Sequence, residues 1–215
     1  MHDPNLVIDS SMVRDEQIVH LNYWNTGYLR GNVKSIKTSH FQTCVLDGNI
    51  EFSILLHSFL IYYNHSGHIE YALSLDQDND VLWEYHYTWD LHKKLLRCKC
   101  LNPDKKIAEF YSYHFNDADE MVYRRCYMPN GKLLWEKLTD GITQKNDLLY
   151  RVEHVFNELG EELERHETSR GGATLSQSFQ YKHDHHQNWI KKIEYTKPLH
   201  NITAITKRLI EYYDE

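Results

Sequence analysis

Aromatic or aliphatic residues alternate with polar ones through most of the chain, in short runs closed by clusters of Asn, Asp, Gly and Pro. Side chains of an extended backbone point alternately to opposite faces, so each run predicts a strand with one buried face. Aligning the runs on the Asn or Asp that follows each aromatic-rich segment exposes a repeat with anchors at Asn64, Asp90, Asn116, Asn157, Asp184 and Asp214. The spacings are 26, 26, 41, 27 and 30 residues. One residue before the anchors stand Tyr63, Trp89, Phe115, Phe156, His183 and Tyr213, and three before stand Ile61, Tyr87, Tyr113, His154, Tyr181 and Glu211. Five before stand Phe59, Tyr85, Tyr111, Val152, Phe179 and Leu209, and nine before an all-aliphatic column, Leu55, Val81, Ile107, Leu148, Leu175 and Ile205. The opposite face is more polar, as in Glu84, His86 and Thr88.

Each anchor opens a turn such as Asn64-His65-Ser66-Gly67 or Asn157-Glu158-Leu159-Gly160, and a second extended run follows. These second runs are Ile69 to Leu75, Leu95 to Leu101, Met121 to Tyr127, Leu163 to Thr168 and Trp189 to Thr196. The chain therefore reads as all-β: an antiparallel meander of repeated β-hairpins, on the order of 10 to 13 strands, forming a twisted, curved open sheet. Residues 1–28 lack the pattern and read as an irregular or partly helical lead-in to the repeat domain, residues 29–215. The long spacing between Asn116 and Asn157 predicts an insert over Lys132 to Asn146, whose Leu133-Leu134-Trp135 would form an extra strand or fold over a sheet face. An open sheet ends in edges, and Lys207, Arg208 and Glu211 read as charged protection of the last one, with homodimerisation as the alternative.

Tyr87-Thr88-Trp89-Asp90, Tyr113-His114-Phe115-Asn116 and Tyr181-Lys182-His183-Asp184 carry a resemblance to the tyrosine-aspartate repeats of the Rhs and YD-repeat proteins. The opening Leu29-Arg30-Gly31-Asn32-Val33-Lys34-Ser35-Ile36, the closing Gln187 to Tyr195 and the final Ile210-Glu211-Tyr212-Tyr213 are similar to the ends of short bacterial YD-repeat proteins. In large members the resemblance implies a sheet that spirals into a shell around a toxic C-terminal domain. This chain is too short for a closed shell and has no appended toxin domain, so no encapsulated activity is expected.

Composition narrows the function classes. A net charge of -7 argues against a general nucleic-acid binder, which needs a surplus of Lys and Arg on one face. The longest apolar run, Ile54 to Tyr63, is far short of a membrane-spanning helix, and Met1 to Asp15 shows no signal peptide. The expected compartment is the cytoplasm, or outside the cell if a leader was removed. Cys44, Cys98, Cys100 and Cys126 lack the CxxC spacing of a redox or metal motif and read as small apolar residues.

No nucleophile elbow, zinc-protease, P-loop or dinucleotide motif is present, so no enzyme and no cofactor are expected. His183, His185 and His186, with His200 a strand pair later, are weak metal candidates, because adjacent residues rarely share one ion. Tyr85, Tyr87, Tyr111, Tyr113 and Tyr181, with Trp135 of the insert, would line up if the repeats stack. Flat amphipathic rings suit recognition of a protein or glycan, and equally suit a ladder that merely holds the sheet together. The expected function is a non-enzymatic binding or scaffold module acting through the sheet face or the insert. The alternative is an immunity or accessory protein of a bacterial toxin system, whose acidity would mask a basic partner.

Overall fold

The computed structural model describes residues 29–46, 49–117, 121–138, 151–169, 171–197 and 201–214. The expected N-terminal lead-in, residues 1–28, lies outside them. Among the described residues thirteen strands follow one another: β1 (Val33–Leu46), β2 (Asn49–Tyr63), β3 (Ile69–Leu75), β4 (Val81–Asp90), β5 (Leu95–Leu101), β6 (Ile107–Phe115) and β7 (Met121–Tyr127). Then come β8 (Leu133–Leu138), β9 (Arg151–Phe156), β10 (Glu162–Thr168), β11 (Thr174–His183), β12 (Trp189–Lys197) and β13 (Asn201–Tyr212). All belong to one antiparallel sheet, and the five second runs expected from the sequence are β3, β5, β7, β10 and β12.

The turns explain the repeat. At residues 64, 76, 102, 128, 157, 169 and 184 the backbone N–H donates to the carbonyl four residues on, while the N–H three residues on donates back to the first carbonyl. This three-residue hairpin loop needs a left-handed residue at its end, supplied by Gly67, Asn79, Lys105, Gly131, Gly160, Gly172 and Gln187, all with positive φ. The anchor side chain caps the loop from within. Asn64 Oδ1 accepts from the N–H groups of Ser66 and His68, Asn157 Oδ1 from Leu159 and Glu161, and Asp184 Oδ1 from His186 and Asn188, all at 2.9–3.0 Å. A short acceptor is favoured at that position by turn chemistry, although Met128 opens the same loop without one.

The strand order is β8-β7-β6-β5-β4-β3-β2-β1-β13-β12-β11-β10-β9. The chain starts in the middle of the sheet, meanders to one edge, crosses to the other and meanders back until β13 pairs with β1. This corrects the expectation that the last strand is a protected edge: the edges are β8 and β9, consecutive in sequence. Lys207 lies 4.9 Å over the Phe41 ring, Arg208 is buried, and Glu211 accepts a hydrogen bond from Ser35 Oγ at 2.9 Å. Of the two alternatives for Leu133-Leu134-Trp135 of the insert, the extra strand is the one formed: it is β8, paired with β7, while residues 139–146 lie outside the described residues.

That connectivity forces curvature. Thirteen strands laid flat would hold β8 and β9 about 58 Å apart at ~4.8 Å per spacing. The backbone from Leu138 to Arg151 reaches at most about 47 Å at ~3.6 Å per residue. The sheet therefore bends around its inner face, although β8 and β9 are not paired and it stays open. On that face the core runs from β1 to β7, built from Val33, Ile36, Phe59, Ile61, Tyr85, Tyr87, Leu96, Cys98, Cys100, Tyr111, Tyr113 and Cys126. In the other half cations cover aromatic rings: Lys192 Nζ lies 4.0 Å and the Arg165 guanidinium 5.5 Å over Phe179.

The final repeat is out of frame by one residue. Leu209, expected inside, is 66% exposed, and Arg208, expected outside, is 8% exposed. Arg208 and Phe59 flank Thr38 in one cross-strand row, so the arginine occupies a place that an aromatic ring fills elsewhere. With a side-chain period of two, a one-residue slip moves every residue of a strand to the other face.

The seam between first and last strands is closed by side chains. Asn188 accepts from the Arg30 N–H at 2.8 Å and donates to the Arg30 carbonyl at 2.7 Å and to Tyr212 Oη at 2.8 Å. Tyr213 donates from its N–H to the Asn32 carbonyl at 2.8 Å and from its hydroxyl to the Tyr63 carbonyl at 2.6 Å. Gly31, at φ +81°, lies so close to His186 and Tyr212 that a Cβ would sit 3.0–3.1 Å from their side chains.

Candidate functional site

Among the sequence-selected aromatic residues, Tyr85, Tyr87, Tyr111 and Tyr113 are all under 8% exposed and belong to the core. They form the ladder that the sequence offered as the alternative to a recognition face. Trp135 packs on that core, with its ring 6.2 Å from Tyr111 and 5.5 Å from the Arg124 guanidinium. Tyr181, in the other half, donates to the Glu162 carbonyl at 2.9 Å, and burial raises its hydroxyl pKa well above the usual tyrosine value.

The histidine cluster is spread over separate tasks. His183 is 2.7 Å from Glu161, Asp184 caps its turn, and His185 and His186 pack on the Tyr212 ring at 5.9 and 4.2 Å. His200 lies outside the described residues. Among the described residues no group of three or more His, Cys, Asp or Glu is placed to hold a metal ion.

The outer face of β4–β7 brings together residues that no sequence motif selected. Strand register sets three rows across it. The central row is Thr88, Arg97, Ser112, Arg125 and Glu136; beside it run His86, Lys99, Phe110 and Tyr127 on one flank, and Asp90, Leu95, His114 and Tyr123 on the other. Within these rows lies a cleft of about 580 Å³, walled by Phe110 and Tyr127 and lined by Arg97, Lys99 and Arg125 without a single carboxylate residue.

The charges differ in how far they are already satisfied. Arg125 is paired with Glu136 and lies 4.7 Å over the Tyr123 ring. His86 is 2.8 Å from Glu84, whose carboxyl is held below its usual range chiefly by a hydrogen bond from Lys105. Arg97 and Lys99 are exposed and have no hydrogen-bond or ion-pair partner among the described residues. Between Arg97 and Arg125 the Ser112 hydroxyl is buried and has no partner either, an exception to the rule that buried polar atoms are satisfied. His114 stacks on Tyr123 at 4.0 Å, and burial, then Arg125 and Arg97, lower its pKa.

The outer columns do carry a trace of this site in the sequence: His86 and Ser112 stand four residues before their anchors, and Thr88 and His114 two before. What the sequence lacks is the register that lays Arg97, Lys99 and Arg125 beside them.

The inner face holds a second unsatisfied group. The Arg208 guanidinium lies 3.5 Å over Trp189, its Nε has no acceptor among the described residues, and burial lowers its pKa to about 10. Lys192 beside it is lowered for the same reason and has Glu162 only at 3.8 Å.

No protein-family model matches the chain, and no curated protein matches it. Among solved structures it is similar to a porin-like protein from Bacteroides uniformis, at 8% identity over 85% of this chain and 99% of that one, with a TM-score of 0.43. A second is the TcdB2-TccC3-Cdc42 complex, at 10% identity over 77% of this chain and 9% of that one, TM-score 0.20. A third is a putative outer membrane lipoprotein-sorting protein domain from Vibrio parahaemolyticus, at 11% identity over 92% and 93%, TM-score 0.27. With every TM-score below 0.5, these three likenesses carry no functional weight. Among the described residues no helix is long and apolar enough to cross a membrane.

Proposed function

We propose that the protein is a non-enzymatic binding module that holds a protein or glycan in the outer cleft of β4–β7. The observation that supports this is the convergence of Arg97, Lys99 and the buried Ser112 hydroxyl, all without partners among the described residues, on one concave surface built on paired strands. Cations, flat rings and a hydroxyl are groups suited to recognition. On this reading the binding surface is the polar face of the repeats, bordered by Tyr111 of the ladder and by Glu136 of the insert, which pairs with Arg125.

Filling the cleft tests the reading. Ser112→Trp and wild type are compared on an array of immobilised glycans and on candidate proteins encoded beside the gene, with circular dichroism as the check on folding. Ligands retained by wild type are expected to be lost by the variant at unchanged strand content. Retention of every wild-type ligand by a folded Ser112→Trp protein would place binding elsewhere.

A further inference from the structure

We infer that the ligand of the outer cleft is an acidic glycan, whose carboxylate or sulfate groups sit on the row Arg97, Ser112, Arg125 and whose sugar rings lie on Phe110 and Tyr127. This rests on the proposed binding role of that cleft and adds the chemical class of its ligand.

Charge is the first reason. The whole chain carries a net charge of -7, yet Arg97, Lys99 and Arg125 line this cleft; Arg125 is already paired with Glu136 beside it, which leaves Arg97 and Lys99 as the cations without a counter-ion among the described residues. A local surplus of two cations focuses the field on an anionic ligand. Arg97 and Arg125 lie on alternate strands, about 10 Å apart at ~4.8 Å per strand, with Ser112 in register between them. That is a ruler of cation, hydroxyl donor, cation running across the strands, suited to a chain with negative groups at regular intervals.

The class of polymer follows from what the cleft does not offer. It lies on β4–β7, each paired on both sides, so the backbone N–H and C=O groups there are already used in the sheet. A peptide that binds by strand addition needs a sheet edge, and here no edge is available. A saccharide needs no main-chain partner. Its hydroxyl and anionic groups are served by side chains, and its flat apolar faces pack on aromatic rings such as Phe110 and Tyr127.

Ser112 supplies the sharpest test, because its hydroxyl is buried without a partner. A buried polar group with no partner costs stability, so Ser112→Ala is expected to leave the free protein as stable or make it more stable, while weakening ligand binding. A purely structural serine would show the reverse.

The experiment is calorimetric titration of the full chain with an oligogalacturonate and, separately, with heparin oligosaccharides, a neutral oligoglucan of matched length and oligoglutamate. Binding of one of the two acidic saccharides is expected. Arg97→Gln and Lys99→Gln should each weaken it about tenfold, and Ser112→Ala several-fold at unchanged or higher melting temperature. Binding should also fall as salt is raised. Preference for the neutral oligoglucan, or equal binding of oligoglutamate, overturns the acidic-glycan assignment. If the Ser112→Trp protein loses that neutral ligand or peptide, the cleft reading itself stands. Binding of neither acidic saccharide, with other ligands still lost in Ser112→Trp, ends this inference alone. Failure of Ser112→Trp to affect any ligand ends both.

Discussion

At the scale of single residues, burial has been resolved in different ways on the two faces. On the inner face His40 and His57 stack with ring centroids 4.6 Å apart, and Thr206 Oγ1 lies 3.3 Å from His40 Nδ1. Burial, then the neighbouring His57, Lys192 and Arg208, lowers the His40 pKa to about 4, and burial lowers that of His57. The unfolded chain therefore binds more protons than the folded one between about pH 6.5 and pH 4. Stability is full above the unfolded value and is lost as pH falls towards the folded one, by up to roughly 3 kcal/mol from His40. Urea midpoints measured across this range should fall on acidification, and His40→Gln should flatten the fall. An identical pH profile in the variant would show that other groups carry it.

At the scale of elements, the turns and β13 show what fixes a strand's frame. The loop hydrogen-bond pattern sets where each strand leaves the turn, and the alternation of faces then follows automatically. In the last strand the buried column falls one residue out of step with the Asp214 anchor. The structure puts Arg208 into the row of Phe59 and stacks it on Trp189. A buried cation with an unsatisfied Nε is a poor contributor to stability, and apolar residues of similar volume often replace such groups without loss. Arg208→Met is thus expected to be neutral or stabilising by about 1 kcal/mol in urea unfolding. A loss of several kcal/mol would show that the guanidinium meets an acceptor beyond the described residues.

At the scale of the whole molecule, the sheet is a meander whose covalent start lies at its centre. Tyr213 and Asn32 are hydrogen-bonded neighbours, whereas the two true edges are joined only through residues 139–150. A permutant that links residue 214 to residue 29 by a short Gly-Ser linker and opens the chain between Leu138 and Arg151 would run edge to edge without a crossover. Opening that connection and closing the seam instead costs little in chain entropy, since loop closure depends only weakly on length. The permutant should keep the strand signal in circular dichroism and a stability within about 1 kcal/mol. Loss of folding would show that the crossover, and not the β1–β13 seam, keeps the sheet curled.

The sequence by itself determined the local grammar: period-two alternation marked the strands, and Asn64, Asn157 and Asp184 marked turns because only a short acceptor caps that loop. It also identified the face that Tyr85, Tyr87, Tyr111 and Tyr113 share, though not whether that face meets solvent or core. The strand order, the pairing of β1 with β13, the frame of Arg208 and the rows that bring Arg97, Ser112 and Arg125 together belong to tertiary structure. The physical reason is that periodicity and turn chemistry act within a hairpin, whereas which distant strands pair depends on burying the whole inner face. A site made by cross-strand neighbours from four strands leaves almost no mark along the chain.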